Sequence, residues 1–244
     1  MSRKPLYIFL HLPKTAGSTF VYHLKKNLGE DELLEISHKT LELPLDYNNY
    51  GDIYKRAKKY IRVISSNKLA RIRVVYGHLV PYGVEKLFNR NGKYITFFRD
   101  PENRAISSYN YLLTLYNNES HTGKRKEAYI CGLLVKDKVP DFYTWFEKKW
   151  DKETYGFGSF SDYKILQHLN YLDKGDVTKN SVKKMLDKFY FVGLTRTFSE
   201  GSLFVYKKLE IKRFFVNKNV SKKYFQPKNT NKIRQLFEKI AHFA

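Results

Sequence analysis

The stretch that decides the fold is Tyr-Ile-Phe-Leu-His-Leu-Pro-Lys-Thr-Ala-Gly-Ser-Thr-Phe, residues 7–20. The apolar run Leu6–Leu10 predicts a buried strand, a polar turn follows at 13–17, and a helix-like stretch opens at Ser18. A strand, a tight turn and a helix in this order aim backbone N–H groups and a helix dipole at an anion. The stretch therefore predicts an anion-binding loop of the kind that holds nucleotide phosphates.

The side chains of this loop suit an anion. Lys14 lies inside the turn, where its ammonium can reach a phosphate as a point charge. Hydroxyl and backbone N–H donors follow it at Thr15, Ala16, Gly17, Ser18 and Thr19. The loop is not a Walker A motif. Its lysine, Lys14, precedes the glycine, and no Lys-Ser or Lys-Thr pair follows Gly17 as that motif requires. A turn that binds no ligand is the alternative at this point.

A second predicted strand-to-helix joint lies at residues 93–111. Tyr94–Phe98 predicts a buried strand, and Asp100 followed by Pro101 predicts a helix start with Asp as the N-cap. Arg99 falls at the joint itself. One face of the helix carries three polar side chains, Arg104, Ser107 and Ser108. An arginine fork and a serine hydroxyl beside a helix N-terminus predict a second anion site.

Together, the two joints resemble those of the sulfotransferases that use 3′-phosphoadenosine-5′-phosphosulfate (PAPS) and release 3′-phosphoadenosine-5′-phosphate (PAP). Residues 13–19 resemble the family's 5′-phosphosulfate loop, and residues 99–109 resemble its 3′-phosphate motif, with Arg99 and Ser107 eight positions apart. The resemblance implies PAPS as the donor and no metal. It is closest to the carbohydrate type, which includes the heparan sulfate 2-O-sulfotransferases and bacterial relatives.

The run Val74–Tyr76 ends in Gly77-His78, which resembles the segment that carries the proposed general base of the 2-O-sulfotransferase branch. A histidine with an ordinary pKa can accept a hydroxyl proton near neutral pH. The resemblance thus implies catalytic roles for His78 as the base and for Lys14 at the leaving phosphate. A hydrogen-bonded core histidine is the alternative for His78. His11 is interpreted as a framework residue within the first strand.

The function that the resemblance implies is in-line transfer of a sulfuryl group from PAPS to a hydroxyl acceptor, a glycan that can be anionic. Two alternatives stay open. A P-loop kinase is disfavoured by the missing Walker A pattern. A basic nucleotide- or nucleic-acid-binding protein without transfer activity is motivated by the net charge of +21, although no nucleic-acid-binding motif supports it.

Composition bounds the class of protein. A length of 244 residues with 42% hydrophobic content predicts a single domain over 1–244 with a substantial core. The single cysteine, Cys131, excludes an internal disulfide. No apolar stretch approaches the length of a membrane span, and the N-terminal run is too short for a signal peptide. These features predict a cytoplasmic protein; its oligomeric state has no sequence signal.

The positive charge is uneven. Residues 179–244 hold 16 Lys and Arg against four Asp and Glu, a net charge of +12, whereas the first 178 residues have a net charge of +9. A basic C-terminal quarter predicts an anionic partner, with a solvated lysine-rich surface as the equal alternative. Candidate acceptor contacts are the aromatic loop Tyr155–Phe160, the helix around Trp145, and the lysines Lys218, Lys222 and Lys223. Core packing is the favoured interpretation for most of these aromatic residues.

Predicted strands and helices alternate, which indicates an α/β fold with a P-loop-like, open, mainly parallel sheet flanked by helices. Strands are predicted at Leu6–Leu10, Leu33–Ser37, Ile72–Tyr76, Tyr94–Phe98 and Tyr190–Leu194. Helices are predicted at Ser18–Leu28, Ile53–Ile64, Pro101–Tyr116, Phe142–Trp150, Asp162–Leu172, Ser181–Phe189, Phe198–Leu209 and Asn229–Phe243.

Overall fold

The computed structural model describes residues 5–43, 52–117, 138–147, 162–173, 175 and 178–212. These residues belong to two compact units. The first contains 5–43, 52–98 and the described residues from 162 to 212, and the second contains 99–117 and 138–147. The single domain over 1–244 stays a prediction. Several predicted features lie outside the described residues: Cys131, Tyr155–Phe160, Lys218, Lys222, Lys223 and Asn229–Phe243.

The first unit is built on a five-stranded sheet whose neighbouring strands are all parallel. Its strands are β1 Leu6–Leu10, β2 Leu33–Glu35, β3 Val74–Gly77, β4 Gly92–Phe98 and β5 Phe191–Leu194. They lie in the order β2-β3-β1-β4-β5, so β1 is central. Leu10 pairs with Gly77 on one side and with Thr96 on the other. The predicted open parallel sheet is confirmed.

The described α-helices mostly follow the predicted segments. They are α1 Gly17–Asn27, α2 Ile53–Arg62, α3 Ser66–Arg71, α4 Pro101–Tyr116, α5 Phe142–Trp145, α6 Asp162–His168, α7 Lys179–Leu186 and α8 Phe198–Leu209. The sequence did not indicate α3, because none of its residues is buried and no apolar period marks it. Ile72 caps that helix, so the strand predicted from Ile72 begins only at Val74.

Both faces of the sheet are covered, which is why its strands are apolar runs. On one face, Phe9 and Phe97 pack against side chains of α1 and α8: Phe20, Leu24, Val205, Tyr206 and Leu209. On the other face, Tyr94 contacts three aromatic rings: Tyr82, Tyr171 and Phe189. Full burial of each large apolar side chain contributes about 1.5–3 kcal/mol. The carboxyl ends of the strands are therefore fixed by side-chain packing on both faces of the sheet.

The second unit centres on α4. Its N-cap is Asp100, whose carboxylate accepts from the Asn103 N–H at 3.1 Å, with proline at the first helical position, as predicted. Tyr109 of α4 packs on Trp145 of α5, with ring centroids 5.4 Å apart, and its hydroxyl donates to the Pro140 carbonyl. Trp145 is 1% exposed. Trp145 is therefore in a core, which is the interpretation that the sequence favoured over a sugar-stacking role.

Candidate active site

The loop after β1 contains two non-glycine residues in the left-handed backbone conformation. Lys14 and Ala16 both have a φ of 65°, which costs a residue with a Cβ about 1–2 kcal/mol. Left-handed residues within a turn gather N–H groups into a concavity that suits an anion. Between them, the buried Thr15 hydroxyl donates to the Leu12 carbonyl at 2.8 Å. Thr15 therefore holds the strained shape of the loop from inside.

Helix α1 starts directly after this loop, with Ala16 as its N-cap. The N–H groups of Thr19 and Phe20 donate to the Ala16 carbonyl at 3.0 and 3.3 Å. The N–H groups of Gly17 and Ser18 lie in the first turn, where a helix has no acceptor of its own to offer. No acidic residue occupies that turn. An anion is thus favoured at Gly17 and Ser18, whereas the N–H of Thr19 is already bonded.

Gly17 lies against the imidazole of His11. A Cβ added at Gly17 would overlap the His11 ring, so this position accommodates only glycine without a shift of that ring. The placement of His11 within the first strand is wrong by one residue, because β1 ends at Leu10. The His11 N–H still donates to the Gly77 carbonyl at 2.9 Å and so extends the pairing of β1 with β3.

His78 follows β3 directly and lies beside His11. Its Nδ1 donates to the His11 carbonyl at 2.5 Å, and the two rings stack with centroids 4.1 Å apart at an interplanar angle of 28°. Because a carbonyl oxygen only accepts, Nδ1 carries the hydrogen, and Nε2 bears the lone pair of the neutral ring. Gly77 makes this path possible: its φ is 145°, and a Cβ there would overlap the Ile36 carbonyl.

Electrostatics keep this histidine pair neutral at pH 7. Burial lowers the pKa of His78 to about 4; the bond to the His11 carbonyl opposes this shift, nearby His38 adds to it, and Glu35 opposes it. Burial also lowers the pKa of His11 well below its usual value, and the neighbouring His78 and Lys14 lower it further. A neutral His78 can accept a proton at Nε2 without first losing one.

The structure adds one acid that the sequence did not single out. Glu35 ends β2, next to β3, where the Tyr76 hydroxyl donates to its carboxylate at 3.1 Å and Lys25 lies 3.9 Å away. Burial, with help from Glu35, raises the pKa of Tyr76. Nothing in the sequence pairs Glu35 with Tyr76, because the contact follows from the register of β2 and β3. The loop, His78 and Glu35 therefore all lie at the carboxyl edge of the sheet.

The second predicted anion site lies in the second unit. Arg99 follows β4 directly; burial lowers the pKa of its guanidinium, Asp100 raises it, and nearby Arg104 lowers it. Arg104 and Ser108 are 4% and 3% exposed, and Ser107 is half-buried. Among the described residues, Ser108 Oγ has no hydrogen-bond partner. Two neighbouring guanidinium groups with a buried hydroxyl are a donor set that an anion would stabilise.

Within the described ranges, no cluster of three or more His, Cys, Asp or Glu side chains is placed to hold a metal ion. None of the helices described combines the length and the apolar character needed to cross a bilayer.

Comparisons with known proteins bear on the family. A solved sulfotransferase from Alicyclobacillus acidocaldarius is similar over 97% of this chain and 92% of its own, with 14% identity and a TM-score of 0.49. Mouse sulfotransferase SULT7A1, solved in complex with PAP, is similar over 98% and 84%, with 18% identity and a TM-score of 0.32. No curated protein matches. The family model of the sulfotransferase family matches residues 1–242. Because this match covers nearly the whole sequence, the chain belongs to the sulfotransferase family.

Proposed function

We propose that this sulfotransferase uses PAPS as its donor and a carbohydrate hydroxyl as its acceptor, with His78 as the base. The observation that carries the proposal is the bond from His78 Nδ1 to the His11 carbonyl, which leaves the lone pair on Nε2. A neutral imidazole in this state can take the acceptor's proton as its oxygen attacks sulfur. The alternative of a core histidine does not explain why the ring lies at the sheet edge where ligands bind in open α/β folds.

The loop after β1 is proposed to hold the phosphosulfate end of the donor. PAPS, when bound, supplies the sulfuryl group and leaves as PAP. The N–H groups of Gly17 and Ser18, together with the ammonium of Lys14, neutralise negative charge on the phosphate. Charge on that phosphate grows as the sulfur leaves, so Lys14 acts more strongly in the transition state than in the ground state. No metal is needed for this neutralisation.

The residues of the second unit form a donor set that fits the 3′-phosphate of PAPS. A buried hydroxyl at Ser108 with no partner among the described residues, next to a half-buried Arg99 and a buried Arg104, suits a doubly charged 3′-phosphate. Ser107, eight positions after Arg99, is proposed to complete this set. We further propose a glycan acceptor that can be anionic and a cytoplasmic location; both rest on sequence features alone.

Nucleotide preference tests the donor. Thermal unfolding is measured with PAP, with ADP and with ATP plus Mg²⁺. At about a hundred times its dissociation constant, a ligand of the folded state adds roughly 2.7 kcal/mol of stability. We expect the larger shift with PAP and no need for Mg²⁺. Equal shifts for PAP and ADP would contradict the 3′-phosphate assignment, and a preference for ATP with Mg²⁺ would favour a kinase.

The acceptor is tested by turnover with sulfur-labelled PAPS and a panel of neutral glycans, anionic glycans and phenols. Transfer to a glycan hydroxyl is the expected result. Transfer only to phenols would keep the sulfotransferase reaction and overturn the carbohydrate proposal. When the loop is tested by Lys14→Ala, the variant Lys59→Ala, at an exposed position of α2, is the matched control for charge loss because it leaves the loop intact.

A further inference from the structure

The ring of His11 is in contact with two parts of the proposed site at once. It lies against Gly17, in the first turn of α1, and it stacks on His78 at 4.1 Å. It also stacks on Phe9 of the preceding strand β1, with ring centroids 5.7 Å apart. The ring is thus wedged between the phosphate loop and the base, with a packed aromatic side chain behind it.

The backbone of His11 fixes the same neighbour by a second route. Its carbonyl accepts from His78 Nδ1, and its N–H donates to the Gly77 carbonyl. The ring sets where the His78 imidazole lies relative to Gly17, and the carbonyl sets which nitrogen of that imidazole carries hydrogen. Two independent contacts from one residue determine both the position and the tautomer of the base.

We propose that His11 is a positioning residue that spaces the imidazole of His78 from the phosphate loop, shields one face of it from water and holds it correctly oriented for proton transfer. The catalytic consequence rests on the function proposed above; the positioning itself does not. A misplacement of about 1 Å can cost a reaction on the order of a hundredfold in rate. His11 would therefore matter for turnover without touching either substrate.

Removal of the His11 ring should change the pKa of His78, which a purely structural role of His11 elsewhere in the core would not do. The groups that face His78 are His11 after β1, and Glu35 and His38 at and after the end of β2, with Lys14 next to His11. Without the His11 ring, more of the half-buried His78 side chain is exposed to water, and the burial that disfavours its charged form is reduced. The pKa of His78 should then rise from about 4 toward its ordinary value.

Three variants separate the possibilities. His11→Phe keeps a flat ring between Gly17 and His78 and should keep both the pKa of His78 and most of the turnover. His11→Ala removes the ring. Gly17→Ala changes neither histidine, but the new Cβ displaces the His11 ring. In the last two variants we expect the pKa of His78 to rise by about one unit or more and turnover to fall by about tenfold or more.

The measurement is an NMR titration of the His78 ring in each variant, alongside turnover against pH. A His78 pKa that rises in His11→Ala and Gly17→Ala but not in His11→Phe supports the proposal. An unchanged pKa in Gly17→Ala overturns it, even if His11→Ala does not fold. The function proposed above is tested separately by His78→Asn. If that variant keeps full turnover, His78 is not the base, whereas the titration still decides whether His11 positions its ring.

Discussion

Replacement of His78 by asparagine removes the proposed base but can keep the hydrogen bond that this side chain makes. The asparagine amide offers an N–H close to the position of the imidazole Nδ1, so the bond to the His11 carbonyl can persist. The atom that accepts a proton and the group that titrates are both lost. We expect turnover at pH 7 to fall by about a hundredfold or more, the usual range for a positioned base. PAP affinity should stay within a few-fold of the wild type.

The same substitution has a calculable effect on stability in acid. The folded-state pKa of His78, about 4, lies below its ordinary value of 6.5. The unfolded chain therefore binds more protons between these values, and stability is lost as pH falls through that window. The expected loss from this one group is about 2 kcal/mol at pH 5 and about 3 kcal/mol at pH 4. Asparagine does not titrate, so the variant lacks this loss.

Urea unfolding at pH 7.5 and at pH 5 measures the effect. Between the two pH values, the wild type should lose about 2 kcal/mol more stability than His78→Asn. Contributions from the carboxylates and from His11 are common to both proteins and largely cancel. His168→Asn, at an exposed position ending α6, should lose as much stability as the wild type. Equal losses in the wild type and in His78→Asn would refute a His78 whose pKa is lowered by burial.

Three further predictions concern the anion sites. Lys14→Ala should lower turnover by about a hundredfold with a smaller loss of PAP affinity, measured by single-turnover kinetics and calorimetry; near-normal turnover would remove Lys14 from the chemistry. Arg99→Ala should reduce the thermal shift with PAP to that with ADP, and a retained difference would place the 3′-phosphate elsewhere. Ala16→Gly relieves a left-handed alanine and should raise the free energy of unfolding by about 0.5–1 kcal/mol, since the freer unfolded chain offsets part of the relief. A loss of stability in urea would contradict that conformation.

Local signals in the sequence were enough to predict most of the elements. Helix α4 has its predicted bounds, and its start is specified by the adjacent residues Asp100 and Pro101. Strand β1 is a short apolar run that is followed by the turn at 13–17. These features depend only on neighbours in the sequence. By contrast, α3 buries no residue, so its sequence has no apolar periodicity from which the helix could be predicted.

Features of the site that depend on which strands are neighbours could not be predicted. His11 and His78 are 67 positions apart, and nothing in either segment says that their rings stack. The contact arises because β3 lies beside β1 with Leu10 opposite Gly77, so the next residue of each strand falls next to the other. Glu35 was missed for the same reason, since β2 ends beside β3.

The strand pairing also explains how a proposed base can be fixed relative to a proposed donor site. The loop follows β1 and His78 follows β3. The backbone ladder between these strands continues through the bond from the His11 N–H to the Gly77 carbonyl, and the His11 carbonyl then accepts from the His78 side chain. A slip of one residue in that ladder would move His78 by about 3.3 Å relative to the loop and turn its side chain to the other face of the sheet. Because transfer is sensitive to shifts of about 1 Å, the geometry of proton transfer is specified by the register of two buried strands. The apolar residues of β1 and β3 are therefore as important for the reaction as the polar residues that follow them.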